Sequence, residues 1–148
     1  MAKSTRFPVA FHTLVILAMK RDEFVSSEFL SKSVHTNPAV IRRILGSLVR
    51  QGWVTSQAGV HGGAKLVVDP EEISMLDIYH AVEEDAVFRL HQPNPKCPIA
   101  DVMSGELEQV MDNAEAAMQE VLAETTVADV ARKAMRAYRQ KTGKTAKV

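Results

Sequence analysis

A helix that bears arginines on one face and runs straight into a glycine-rich hairpin constrains this chain more than any other feature. Asn37 suits a helix N-cap, and Pro38 suits the first helical position, where its missing N–H is not needed. Gly52 stands where that helix should stop, in the left-handed conformation glycine takes cheaply. Between these ends Ile41, Ile44, Leu45 and Leu48 recur at helical spacing and form one stripe for burial. At roughly 100° per residue, Ala39, Arg42, Arg43, Gly46, Ser47 and Arg50 gather on the opposite face. That face holds three arginines and no acid, so it forgoes the i,i+4 pairs an ordinary solvated helix gains. Gly46 costs about 1 kcal/mol against alanine in a helix interior, a penalty that fits close approach to something bulky.

The residues that follow extend the pattern. Residues 53–57 and 65–68 read as two strands, and residues 59–63 as a tip whose glycines let backbone approach a phosphate or the minor groove. Trp53 reads as a core anchor at the helix–strand junction. A short, capped, cationic helix followed by a two-stranded ribbon is the layout of a winged helix-turn-helix.

The formal net charge of zero conceals a segregation. Residues 1–66 carry nine Lys/Arg against three Asp/Glu, residues 67–131 two against fifteen, and residues 132–148 seven against none. A basic first part beside an acidic middle suggests a polyanion held on one side and kept off the other. The length of 148 residues suits one domain, or one compact domain with an appended helical arm. One cysteine excludes an intramolecular disulfide and fits a reducing cytosol. The apolar run at 9–19 is too short to span a bilayer and lacks a cleavage pattern, so the expectation is a cytoplasmic protein without membrane contact.

Taken in order, Ser4 or Thr5 caps a first helix over 6–20, with Phe7, Phe11, Leu14 and Ala18 on one side. Lys3, Ser4, Thr5 and Arg6 could donate to phosphate from its start. A second helix over 27–34 turns Phe29, Leu30 and Val34 inward. The link at 35–37 is the tight turn of a helix-turn-helix and puts Thr36 and Asn37 where base edges are read; capping alone also explains Asn37. Residues 75–83 form a helix with Met75, Ile78, Tyr79 and Val82 on the core, and the proline-rich 84–98 forms a linker or hinge loop. From 98 to 124 runs a long helix of roughly 40 Å. In it Met103, Leu107, Val110, Ala114, Ala117 and Val121 alternate by four and three, with Ile99, Met111, Met118 and Leu122 widening the seam. The chain has too little other apolar surface to cover it, and the economical partner is a second copy. A last helix over 127–140 follows a cap at Thr125-Thr126.

With these pieces in place the chain resembles the Rrf-type winged-helix regulators of bacteria, the family of IscR, NsrR and CymR. The resemblance covers nearly the whole chain. It is carried by Val40-Ile41-Arg42-Arg43-Ile44-Leu45 with Leu48 and Gly52, by Gly62-Gly63 with Leu66, and by Glu72-Ile73-Ser74-Met75-Leu76-Asp77-Ile78 followed by Ala81-Val82-Glu83. It implies a fold that is mainly α with a small β wing, divided into a winged helix-turn-helix domain (1–83), a linker or sensor loop (84–98), and a dimerisation helix with a C-terminal helix (99–148). It also implies a homodimeric transcription factor, usually a repressor, on a palindromic operator in double-stranded DNA. DNA contacts are then expected at Lys3, Ser4, Arg6, Ser26, Thr36, Asn37, Ala39, Arg42, Arg43, Ser47, Arg50, His61, Gly62, Gly63 and Lys65. Dimer contacts are expected at Ile99, Met103, Leu107, Val110, Ala114, Ala117 and Val121.

Two departures refine the expectation. Cluster-binding members carry three cysteines before the dimer helix, whereas this chain has only Cys97, and His91 does not make up the deficit; no iron–sulfur cluster is expected. Ala58 stands where many members place a wing arginine, leaving His61 and Lys65 as weaker substitutes. Cys97 lies at the start of the long helix beside Lys96, where dipole and charge favour a thiolate, so oxidant or electrophile sensing is a candidate function. The alternative is a structural Cys97 and control by a small-molecule or protein ligand. No Ser/His/Asp order, phosphate-binding glycine loop or His-x-x-x-His spacing occurs, and no enzymatic activity is expected.

Overall fold

The computed structural model describes residues 4–143. The order is α1 (Arg6–Met19), α2 (Ser27–Val34), α3 (Pro38–Arg50), β1 (Val54–Gln57), β2 (Gly63–Leu66), α4 (Met75–Val82), α5 (Ala100–Ala123) and α6 (Val127–Thr142), with a 3-10 turn at Pro70–Glu72. The fold is mainly helical with a two-stranded antiparallel wing, as expected.

The ends of α3 explain its limits. The Asn37 side chain accepts from the Ala39 N–H at 2.7 Å, and Pro38 occupies the first turn. At the other end Gly52 has φ +76°. The Gly52 N–H reaches the Val49 carbonyl at 2.9 Å and the Trp53 N–H the Leu48 carbonyl at 3.2 Å, the pair of bonds that closes a helix on a left-handed residue. Ile41, Ile44, Leu45 and Leu48 are buried in one core with Ala10, Leu14 and Leu17 of α1, Leu30 of α2, and Val54 and Leu66 of the hairpin. Burying each of these larger aliphatic side chains contributes about 1.5–3 kcal/mol. The turn into α3 rests on His35, left-handed at φ 59° and ψ 55°, where non-glycine residues are uncommon.

The wing pairs from Val54↔Leu66 to Gln57↔Gly63. It therefore starts one residue later than expected in β1, and β2 sits two residues nearer the tip. Trp53 lies below the ladder, half-buried against the core, and its carbonyl accepts from the Val67 N–H at 2.9 Å. Val25 pairs with Ala64 through two bonds of 2.8 Å, tying the wing to the segment before α2. That closeness dictates Gly63, and the hairpin's own backbone dictates Gly62. A Cβ on Gly63 would sit 2.2 Å from the Val25 carbonyl oxygen, and one on Gly62 only 2.1 Å from that of Gln57.

Phe29 departs from expectation. It is exposed, with the Lys20 Nζ 5.0 Å from its ring centre, while neighbouring Leu30 takes the buried position. On this short helix the buried side runs through Leu30 and Ser31, which leaves Phe29 a turn-edge away and in solvent.

The α5–α6 junction is pinned to the start of α4: the Met75 N–H donates to the Thr125 carbonyl at 2.8 Å and the Val127 N–H to the Ile73 carbonyl at 2.9 Å. α6 then packs on α1 and α5 on α4, with Val127 fully buried. Helix α5 begins at Ala100 and ends at Ala123, slightly inside the expected 98–124, and Ala100 is the one residue it buries. No helix among the described residues is long and apolar enough to cross a membrane.

Candidate nucleic-acid interface

The outward face of α3 is cationic and electrostatically unpaired. Ala39, Arg42, Arg43 and Arg50 are exposed, with Gly46 and Ser47 half-buried between them. Ion pairs among the described residues join Arg6 to Glu84, Lys20 to Glu23, Lys32 to Glu28, Arg89 to Asp85, and Arg132 to Glu71 and Asp129; none involves an α3 arginine. Arg50 donates from Nη2 to the Ser47 hydroxyl at 3.0 Å, which steadies it across the helix surface without neutralising it.

Three neighbouring elements frame this face. Thr36 and Asn37, at the start of α3, share a shallow hollow with Ser31, Lys32 and His35. Ser26 caps α2 by accepting from the Phe29 N–H at 3.1 Å. Between α3 and the wing opens a cleft of about 510 Å³ that Ser26 lines together with Arg42, Gly46, Gly62 and Gly63. His61 is exposed near the wing tip, and Lys65 extends half-buried with its Nζ 5.8 Å from the Phe24 ring centre. Ser26, Arg42, Gly46, Gly62 and Gly63 thus share one cleft, whereas Thr36 and Asn37 line a separate hollow and His61 lines a third with Lys20, Glu23 and Phe24.

Two of the expected contact residues stand beside acids in the single chain. Ser4 donates its hydroxyl to Glu83 at 2.8 Å, and Arg6 stands 3.6 Å from Glu84. Lys3 lies outside the described residues. Conversely, the cleft is also lined by Ser27, Val49, Ser56 and Gln57, which the sequence reading passed over. Val49 is 40% exposed on the cleft side; adjoining Leu48 in sequence, it reads as core by composition, and only its angle around the helix marks it as outward.

The expected dimer residues all lie on α5 or at its start. Ile99, Leu107, Val110, Ala114, Ala117 and Val121 are exposed and Met103 is half-buried, while Met111, Met118 and Leu122 are half-buried. Cys97 is half-buried in the turn before α5, its N–H donating to the Asn94 carbonyl at 2.9 Å. Among the described residues no three His, Cys, Asp or Glu side chains gather as a metal site requires.

Comparison with known proteins agrees with this geometry. The profile of the Rrf2 family, described as an iron-dependent transcriptional regulator, matches residues 3–133. YwnA of Bacillus subtilis (strain 168), provisionally assigned as an HTH-type transcriptional regulator, is 40% identical over 129 residues, 86% of this chain and 95% of its own length. A crystal structure provisionally described as a DNA-binding protein superposes with a TM-score of 0.69 at 39% identity, covering 85% of this chain and 98% of its own. CymR, described as the global cysteine regulator of B. subtilis, shares the fold with a TM-score of 0.67 at 22% identity, over 90% of this chain and 98% of its own. Spanning nearly the entire chain, the profile match leaves one conclusion: the chain belongs to the Rrf2 family, whose members are transcriptional regulators and not enzymes.

Proposed function

We propose that this chain is a homodimeric repressor that binds a palindromic operator in double-stranded DNA. The observation that carries the reading is the face of α3, where Arg42, Arg43 and Arg50 stand exposed without an anionic partner among the described residues. Such a face suits phosphates and guanine edges, and a bidentate arginine–guanine contact contributes roughly 1–3 kcal/mol of discrimination. Support for the dimer comes from α5 and the residue that precedes it, with Ile99 64%, Val102 72%, Val110 62% and Val121 66% exposed in a single chain. A run of this kind on a helix of roughly 36 Å marks an interaction surface. An isologous pair of these surfaces would present two α3 helices to half-sites about 34–36 Å apart.

The iron of the family description does not suit this chain's donors. The linker at 84–98 offers one thiol, Cys97, and one imidazole, His91, too few for an iron–sulfur cluster. The proposed regulator therefore works without one, in the cytoplasm, and Cys97 is its candidate sensor of oxidants or electrophiles. Half-burial next to Pro98, just before α5, favours that assignment, because a modified thiol there would disturb the start of the dimer helix. Sedimentation of the purified protein, with anisotropy titration of a duplex selected from random oligonucleotides, tests the reading. A dimer with salt-dependent affinity is expected; a monomer that ignores every duplex in dilute buffer contradicts it.

A further inference from the structure

Two consecutive helices carry opposite charges that do not meet within the chain. α5 holds six acids, Asp101, Glu106, Glu108, Asp112, Glu115 and Glu120, and no lysine or arginine. α6 holds five bases against one acid, Asp129. Only the link at 124–126 separates them. Yet among the described residues no ion pair joins the two helices: Arg132 pairs with Glu71 and Asp129, and no acid of α5 is in an ion pair. Packing is the cause. α5 lies on α4 and α6 on α1, and the bonds from Met75 to Thr125 and from Val127 to Ile73 fix the turn between them. Val130, Ala131 and Ala134 hold α6 to the core. Lys133, Arg136 and Arg139 are left exposed along its outer side, in no ion pair among the described residues.

The next step rests on the dimer proposed above. Pairing α5 with its symmetry mate brings together two acidic helices that have no base between them. A coiled seam ordinarily balances its borders with opposite charges on the paired helices. At roughly 100° per residue Glu106 and Glu120 fall beside the seam residues Val110, Ala117 and Val121, where like charges across an interface are unfavourable. Countercharge then has to come from another element. The arginines of α3 serve the duplex in this reading, which leaves α6, basic, exposed and joined directly to the end of α5.

We infer that in the dimer the cationic face of α6, through Lys133, Arg136 and Arg139, docks against the acidic border of α5 in the second copy. Each such pair is solvent-exposed and contributes little alone. Several of them around one seam set partner and register, because a helix of the wrong charge in that place is repelled. The apolar side chains of α5 supply adhesion, and α6 supplies the match that admits a second copy of this chain.

The contact is read first on the unaltered fold. Subunits labelled with light and heavy nitrogen are exchanged and treated with a carbodiimide, which joins a lysine amine to a carboxylate without a spacer. Lys133 should couple to carboxylates of α5, and about half of the coupled products should join a light peptide to a heavy one, as random exchange in a two-fold dimer requires. Products confined to peptides of one label place the contact inside a single chain and overturn the inference, as does a lack of coupling between α6 and α5. The variant Lys133→Gln, Arg136→Gln, Arg139→Gln is then compared with wild type by sedimentation. Its dimer dissociation constant should be about 10- to 100-fold higher in dilute buffer and should approach wild type near 1 M salt, where the screening length is about 3 Å. An unchanged constant in dilute buffer overturns the docking while leaving the dimer intact. An unchanged constant with weakened duplex binding overturns it in favour of nucleic acid on α6. A wild type that sediments as a monomer removes the dimer itself.

Discussion

The carboxylate of Glu83, at the end of α4, caps the start of α1: its Oε1 accepts the Ser4 hydroxyl at 2.8 Å and the Phe7 N–H at 3.2 Å. Thr5 makes no side-chain cap of its own, so an acid 76 residues beyond Phe7 satisfies one of the helix's unpaired amides. Glu83→Ala should lower stability by about 1–2 kcal/mol, and Glu83→Gln, which retains an acceptor, by less than half of that. Urea melts measure both. An alanine variant as stable as wild type would remove the cap from the account.

Acid should weaken α6 through its own cap. Thr126 and Asp129 form a reciprocal capping box, with the Asp129 N–H donating to Thr126 Oγ1 at 3.2 Å and the Thr126 N–H to the Asp129 carboxylate at 2.9 Å. Hydrogen bonds from the Thr126 backbone and side chain, with Arg132 adding to them, hold the Asp129 carboxyl below its ordinary value of 3.8. A lowered folded pKa stabilises the fold above the ordinary value, and this contribution is lost as pH falls through the folded value. Melting temperatures followed from pH 6 down to pH 2.5 should fall more steeply for wild type than for Asp129→Asn. Parallel curves would contradict the linkage.

The proposed dimer rests on exposed α5 side chains that do little for the single chain. Val110, 62% exposed, should tolerate aspartate in the monomer. In a dimer seam the same change buries a charge opposite its symmetry mate. Val110→Asp should sediment as a folded monomer with its helical content retained, and should lose most of its affinity for a two-half-site duplex. A variant that remains dimeric would place the interface elsewhere.

Cys97→Ser separates sensing from structure. Wild type treated with peroxide should release its duplex and recover it on reduction, while Cys97→Ser should bind equally with and without oxidant. Loss of binding by the oxidised serine variant would show that Cys97 is not the sensor.

The helices were legible where their ends are written in side chains. Asn37, Pro38 and Gly52 bracket α3, and its Ile/Leu spacing names the buried face before any coordinates are known. The wing was legible as a hairpin but not in its limits, because the Val25–Ala64 pairing that helps set β2 comes from a distant segment. The same distant segment requires Gly63 to be a glycine, whereas Gly62 is required by Gln57 and Ala58 within its own hairpin. The acids beside Ser4 and Arg6, Glu83 and Glu84, lie more than 70 residues away and carry no local signal. The left-handed turn at His35 carries no glycine to announce it. Local chemistry is visible in a string of residues; which distant group satisfies it is not.

The most direct measurement is the slope of log affinity against log salt for the selected duplex, compared between wild type and the triple variant Arg42→Gln, Arg43→Gln, Arg50→Gln. Each phosphate neutralised contributes a slope of about −0.9. Three arginines acting in each of two subunits should therefore make the wild-type slope steeper than the variant's by roughly 5, and a single bound subunit by about half of that. A difference near 5 is the expected result. Equal slopes in wild type and variant would contradict the claim that the outward face of α3 holds DNA.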